Sequence, residues 1–275
     1  MPAAKLVGMK VSVQPGVRLN VRHRDGAGRP YLLVHGLSSN ARLWDELASH
    51  LPNPSYAVDL RSHGESDAPE HGYDTATAAA DLATLITELG LDRPVAVGQS
   101  WGGNVVVRLA AKHPDLVSGL GLVDGGWIDL AANFGTFQEC ERALRPSEID
   151  GLPASKLREW MAQGHPDWSS AAVEATLANM RVRDDGTIER RLPIDRHMAI
   201  VRSMWDEPPA PFLPLITAPA LLLPAVGPDG PKGERIAAAA AVMQRARIVW
   251  YPNGDHDLHA QHPARLAADL LTLAG

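Results

Sequence analysis

The chain has almost no cysteine: Cys140 is the single one in 275 residues. One thiol excludes an intrachain disulfide, so the fold must be held by its core. No nucleophile motif surrounds Cys140, which reads as a structural thiol. A basic excess is also missing. Lysine and arginine total 26 against 32 acidic residues, a net charge of -6, and the arginines are scattered. That balance lacks the electrostatic footprint of a nucleic-acid partner. No apolar run reaches the length of a membrane span, and the first thirty residues lack the order of a signal peptide. The expectation is a soluble, cytoplasmic protein without a membrane span. Asp255-His256-Asp257-Leu258-His259 is dense in metal-ligand types, but further ligands at a sensible spacing are missing. No metal and no cofactor are expected.

What is present suffices for a large core. The apolar fraction is 45% and the charged fraction 21%, values that suit one extended α/β domain, or one domain with an insertion. Residues 6–13 and 17–23 alternate apolar and polar around Gln14-Pro15-Gly16, the pattern of a hairpin. Short apolar strands are expected at 31–34, 55–58, 93–97, 117–123, 220–224 and 246–251. Helical patterns fall between them at 41–50, 75–89, 101–113, 232–245 and 263–273. Asn40 can cap the first of these helices and Gly90 follows the second. Strands alternating with helices predict a mostly parallel sheet covered on both faces. From 128 to 214 the rhythm turns helical, with a turn at Asp184-Asp185-Gly186 and no strand repeat. That stretch reads as a helical cap inserted in a core formed by 1–127 and 215–275.

The centre of the pattern is Val95-Ala96-Val97-Gly98-Gln99-Ser100-Trp101-Gly102-Gly103. A β-branched run enters Gly-x-Ser-x-Gly and a helical segment leaves it. Such a turn strains the serine backbone and crowds the residues two positions away, which glycine tolerates because it has no Cβ. It also aims a helix N-terminus, and with it the Trp101 amide, at the serine hydroxyl.

Four motifs in order carry a resemblance: His35-Gly36-Leu37 after a buried strand, Asp59-Leu60-Arg61-Ser62-His63-Gly64-Glu65-Ser66, the Ser100 elbow, and Gly254-Asp255-His256 before the last helix. Over 15–127 and 215–275 the chain resembles the serine-type α/β-hydrolases. The resemblance implies an eight-stranded, mostly parallel α/β-hydrolase sheet with helices on both faces and an inserted helical cap. It makes Ser100 the nucleophile and His256 its base, with His259 and His262 as minor rivals. The oxyanion hole would be the amides of Leu37 and Trp101. His35, Gly36 and Trp127 are candidates to line the substrate pocket. His35 and His63 are read as holding loops by hydrogen bonds, and Asp59 and Arg61 as tying a loop beside the site. In most relatives the acid follows the strand at 220–224, where Asp229 lies. Some place it one strand earlier, where Asp124 stands 24 residues after Ser100 at a rigid strand end. Two glycines follow Asp124 and leave room for an imidazole. Asp124 is preferred, with Asp229 as the alternative.

The resemblance implies hydrolysis of a carboxylic ester or lactone through an acyl-enzyme on Ser100. A serine at the elbow, rather than an aspartate, speaks against epoxide hydrolase and dehalogenase chemistry. The rival readings are an acyltransferase, thioesterase or cyclase using the same acyl-enzyme, and a non-catalytic small-molecule receptor on the hydrolase fold. The partner is a small-molecule ester, lactone or thioester, and a homodimer is left open.

Overall fold

The computed structural model describes residues 6–274. Strand alternation sets the architecture, because successive side chains of a strand point to opposite faces. In β3 (Tyr31–Val34), Leu32 and Val34 enter one core while Tyr31 and Leu33 enter the other. The same split recurs further along the sheet. Ala96 opposes Val95 and Val97 in β5 (Val95–Gln99), and Leu222 opposes Leu221 and Leu223 in β9 (Ala220–Leu223). Each fully buried leucine contributes about 1.5–3 kcal/mol of transfer free energy, so both faces must be covered.

The hairpin of β1 (Val7–Gln14) and β2 (Val17–Arg24) pairs with β4 (Ser55–Val58) at one end of the sheet. With β6 (Gly119–Val123) and β10 (Ala246–Ile248), the eight strands run in the order β1-β2-β4-β3-β5-β6-β9-β10. Every pairing from β4 to β10 is parallel. The expected eight-stranded, mostly parallel sheet is therefore present. One of its cores is covered by α1 (Asp45–Ser49), which follows a 3-10 turn at Ala41–Trp44, together with α10 (Leu258–Gln261) and α11 (Pro263–Leu271). The other is covered by α2 (Thr75–Glu88), α3 (Trp101–Lys112) and α9 (Gly230–Ala241).

Between β6 and β9 the chain forms α4 (Leu130–Asn133), α5 (Phe137–Leu144), α6 (Ala154–Gly164), α7 (Ser170–Leu177) and α8 (Ile194–Asp206). One expectation for this insertion fails. The turn at Asp184-Asp185-Gly186 connects two strands, β7 (Met180–Val182) and β8 (Ile188–Arg190), in an antiparallel hairpin. Strands of three residues, with Ile188 alone fully buried, are too short to show a period in the sequence. The helix expected over 41–50 is also broken, into the 3-10 turn and α1. Asn40 caps that turn by accepting from the Arg42 amide at 2.9 Å. Among the described residues no helix is long and apolar enough to cross a membrane.

Candidate active site

Ser100 stands between β5 and α3 with φ 53° and ψ -124°, a backbone conformation that L-residues rarely hold. Its amide donates to the Val123 carbonyl at 3.0 Å, which pins the elbow to β6. The flanking glycines are needed for packing. A Cβ on Gly98 would run into the Gly102 carbonyl, and one on Gly102 into the carbonyls of Val34 and His35.

The loop after β3 is held by two histidines. His35 is fully buried; its Nε2 accepts the Leu60 amide at 3.0 Å and its Nδ1 faces the Gly36 carbonyl at 2.7 Å. Burial pushes its pKa down to about 4, so the ring is neutral, with the proton on Nδ1. His63 repeats the arrangement: Nε2 accepts the Ser38 amide at 3.2 Å and Nδ1 donates to the Arg61 carbonyl at 2.8 Å. Burial, with His35 beside it, brings its pKa to about 3. The loop-holding reading of both residues matches this geometry. His35 does not line a pocket, however, since its ring is sealed and spent on backbone groups. Gly36 packs directly against Gln99 and the Ser100 side chain. The amides of Leu37 and Trp101 form no hydrogen bond to another described residue.

Asp59 and Arg61 tie the neighbouring loop. Asp59 accepts from the Ala41 amide at 2.7 Å, the Asn20 side chain at 2.8 Å and the Glu65 amide at 3.0 Å. Arg61 makes a two-pronged pair with Asp81, at 2.6 and 2.8 Å.

The structure brings Asp124 to His256. Asp124 directly follows β6 at φ 40°; its Oδ2 lies 2.6 Å from His256 Nδ1, and its Oδ1 accepts the Ala225 amide at 3.0 Å. Asp229 instead lies exposed at the start of α9, without a capping hydrogen bond. The room left by Gly125 is filled by the Ser100 backbone rather than by an imidazole: a Cβ there would collide with it. Desolvation lowers the pKa of His256, but the Asp124 hydrogen bond and charge, with Asp257 and Asp255 nearby, raise it overall. His259 is buried inside α10 and His262 precedes α11, so neither shares the position of His256.

A cavity of about 220 Å³ holds Ser100, His256, Leu37 and Gln99, roofed by Met161 and Trp168 of the insertion. Trp127 lines a different cavity of about 440 Å³, which shares the His256 wall and includes Asp124, Lys232 and Arg235. Lys232 and Arg235 form no ion pair or hydrogen bond with described residues, while Asp129 in the same cavity caps α4 through the Ala132 amide at 2.9 Å.

Three further residues at the site were not assigned a role from the sequence. Gln99 donates to the His256 carbonyl at 3.1 Å and so ties the elbow to the histidine loop. Asn104 holds the turn after Asp124, accepting the Gly126 amide at 3.1 Å and donating to the Ile128 carbonyl at 2.9 Å. Asp257 lines the Ser100 cavity, and burial raises its carboxyl pKa above the usual range. Gln99, inside the Gly-x-Ser-x-Gly motif, and Asp257, next to His256, had a local pattern that could have marked them, and Asn104 had none.

A family model described as the alpha/beta hydrolase family matches residues 31–269. The 2-(acetamidomethylene)succinate hydrolase of Mesorhizobium japonicum is 40% identical over 264 residues, covering 90% of this chain and 88% of that protein. The crystal structure of E-2-(acetamidomethylene)succinate hydrolase superposes with a TM-score of 0.80 at 24% identity, over 98% of this chain and 99% of the other. A Mycobacterium tuberculosis esterase superposes with a TM-score of 0.77 at 23% identity, over 99% of this chain and 92% of its own. By the extent of the family match and the identity to this relative, the chain belongs to the alpha/beta hydrolase family.

Proposed function

We propose that the chain is a serine hydrolase that opens a carboxylic ester or lactone through an acyl-enzyme on Ser100. The observation that carries the reading is the 2.6 Å contact of Asp124 with His256, in a histidine that shares a cavity with Ser100. Asp124 holds the proton on Nδ1 and leaves Nε2 free to act as base. The Ser100 oxygen then attacks the carbonyl carbon while its proton passes to His256. The Leu37 and Trp101 amides take the charge that develops on the carbonyl oxygen. His256 returns the proton to the leaving alcohol, and a water, deprotonated by the same ring, releases the acid.

A second reading, amide cleavage in an acidic substrate, has its own support. The relative at 40% identity is named for a substrate that combines an acetamido group with a succinate. Lys232 and Arg235, unpaired among the described residues and in a cavity that His256 also lines, are suited to a substrate carboxylate. The acyl-enzyme route is the same, with His256 protonating a leaving nitrogen instead of an oxygen.

The test compares wild type with Ser100→Ala on p-nitrophenyl acetate, on an anilide bearing a carboxylate, and with a fluorophosphonate probe. Ester turnover and labelling of Ser100, both lost in the variant, are expected. Faster turnover of the acidic anilide would move the amide reading to the front. A wild type that is neither labelled nor active on either compound would refute the serine-hydrolase reading.

A further inference from the structure

Two hydrogen-bond paths leave the candidate oxyanion hole, and both arrive at α8 of the insertion. The first begins at Ser38, the residue after Leu37, which is held at φ 59°. Its amide is bound to His63 in the core at 3.2 Å, and its hydroxyl lies 2.8 Å from His197 Nδ1 on α8. The second begins at the other wall. The indole Nε1 of Trp101 donates to the Thr75 hydroxyl at 3.1 Å. Thr75, the first residue of α2, donates its own amide to Ser203 Oγ on α8 at 2.9 Å. From one helix, His197 thus reaches Ser38 directly and Ser203 reaches Trp101 through Thr75.

The proton positions on the first path are determined by the partners. His197 Nε2 faces the Leu144 carbonyl at 3.0 Å, an acceptor only, so Nε2 carries the hydrogen. Nδ1 is then bare and accepts from the Ser38 hydroxyl. On the other side of Ser38, His63 Nε2 is also bare, because its Nδ1 donates to a carbonyl. Ser38 therefore donates twice, from its amide to the core and from its hydroxyl to the insertion. A left-handed backbone at Ser38 is strained, and it persists only where the surroundings over-determine it.

We infer that α8 is a positioning element for the oxyanion hole, setting the Leu37 amide through His197 and Ser38, and the Trp101 amide through Ser203 and Thr75. In this arrangement the insertion does more than roof the substrate cavity. It helps to fix where the developing negative charge is received, so a change in α8 alters the rate of acylation even for a substrate too small to touch the helix. The inference rests on the proposed role of Ser100, because a hole without a nucleophile has no rate to set.

The experiment uses the full chain and a small neutral ester, p-nitrophenyl acetate, with rates of fluorophosphonate labelling in parallel. His197→Ala and Ser203→Ala should each lower kcat by about 10- to 100-fold with KM little changed, the scale expected when charge-receiving groups shift by a fraction of an ångström. Ser38→Ala should match His197→Ala. Their double variant should be no worse than either alone, since the two side chains share one contact. His197→Asn, which keeps an acceptor near the Nδ1 position, should recover most of the rate. Thermal unfolding of each variant separates a folding defect from a positioning one: a melting shift with kcat unchanged overturns the inference. Nitrogen NMR of the His197 ring should show a bare Nδ1 whose signal moves in Ser38→Ala; a protonated Nδ1 overturns it as well. A wild type without turnover or labelling removes the Ser100 reading and this inference together. An active wild type with unaffected α8 variants removes this inference alone.

Discussion

His256 Nδ1 and Asp124 Oδ2 stand 2.6 Å apart across 132 residues of chain. The carboxylate is not free to wander, since its other oxygen is held by the Ala225 amide at 3.0 Å. A carboxylate fixed at both oxygens fixes the ring that donates to it. The same histidine lines the cavity that contains Ser100.

Replacing Asp124 with asparagine should therefore lower kcat on p-nitrophenyl acetate by about 10⁴-fold, because the amide favours the wrong tautomer of His256. Asp229→Asn, at the exposed start of α9, should leave the rate within about twofold. Steady-state kinetics of the two variants decides the matter. A collapse in Asp229→Asn with Asp124→Asn intact would reverse the assignment.

The pH profile follows from the charge around His256. The ring must be neutral to act as base, and Asp124, Asp257 and Asp255 together outweigh desolvation and raise its pKa above 6.5. Activity should fall as the pH drops through that raised value, so the acidic limb of kcat/KM lies above 6.5. In Asp124→Asn the limb should move to lower pH.

Acid should destabilise the fold through three sealed rings. Burial lowers His35 to about 4 and His63 and His259 to about 3, from an ordinary value of 6.5. The unfolded chain thus binds more protons between these values. Stability is complete above 6.5 and declines as the pH falls toward 4, each ring steepening the loss by about 1.4 kcal/mol per pH unit. The His259 ring packs at a tilt against Trp44, 4.3 Å between centroids, and neither ring nitrogen has a partner among the described residues, so His259→Leu should flatten the decline. Urea melts at pH 7 and pH 5 measure the difference, and an unchanged slope would remove His259 from this account.

Arg61 and Asp81 form a bidentate pair with side chains only 6% and 5% exposed. Asp81→Ala should cost about 3–5 kcal/mol, because it strands a buried guanidinium. The double replacement Arg61→Leu with Asp81→Leu should recover part of that loss. Equilibrium unfolding of the single and double variants checks both statements.

Much of this was legible in the sequence, wherever the partners are close in the chain or the pattern is periodic. The elbow could be read because Gly98, Ser100 and Gly102 meet within one turn. The strands could be read because alternation and apolar runs report burial directly. The β7–β8 hairpin could not, since its strands are three residues long and only Ile188 of the six residues is fully buried. For His35 the sequence allows both a loop-holding role and a place at the pocket; that its ring is fully buried and bonded to backbone groups shows only in the packing.

The sequence alone determined the alternation of strands and helices and the strained serine turn, because those depend on short-range sterics and on hydrophobic periodicity; the strand count and the other candidate groups came with the family its motifs resemble. Which aspartate meets His256, and which helix braces the loop of Ser38, depended on tertiary structure. Those contacts span 132 and 159 residues. They exist only because β6 lies beside β9 and the insertion folds back over the strand ends. No local pattern encodes such a meeting, since its geometry is set by the packing of elements that are remote in the chain.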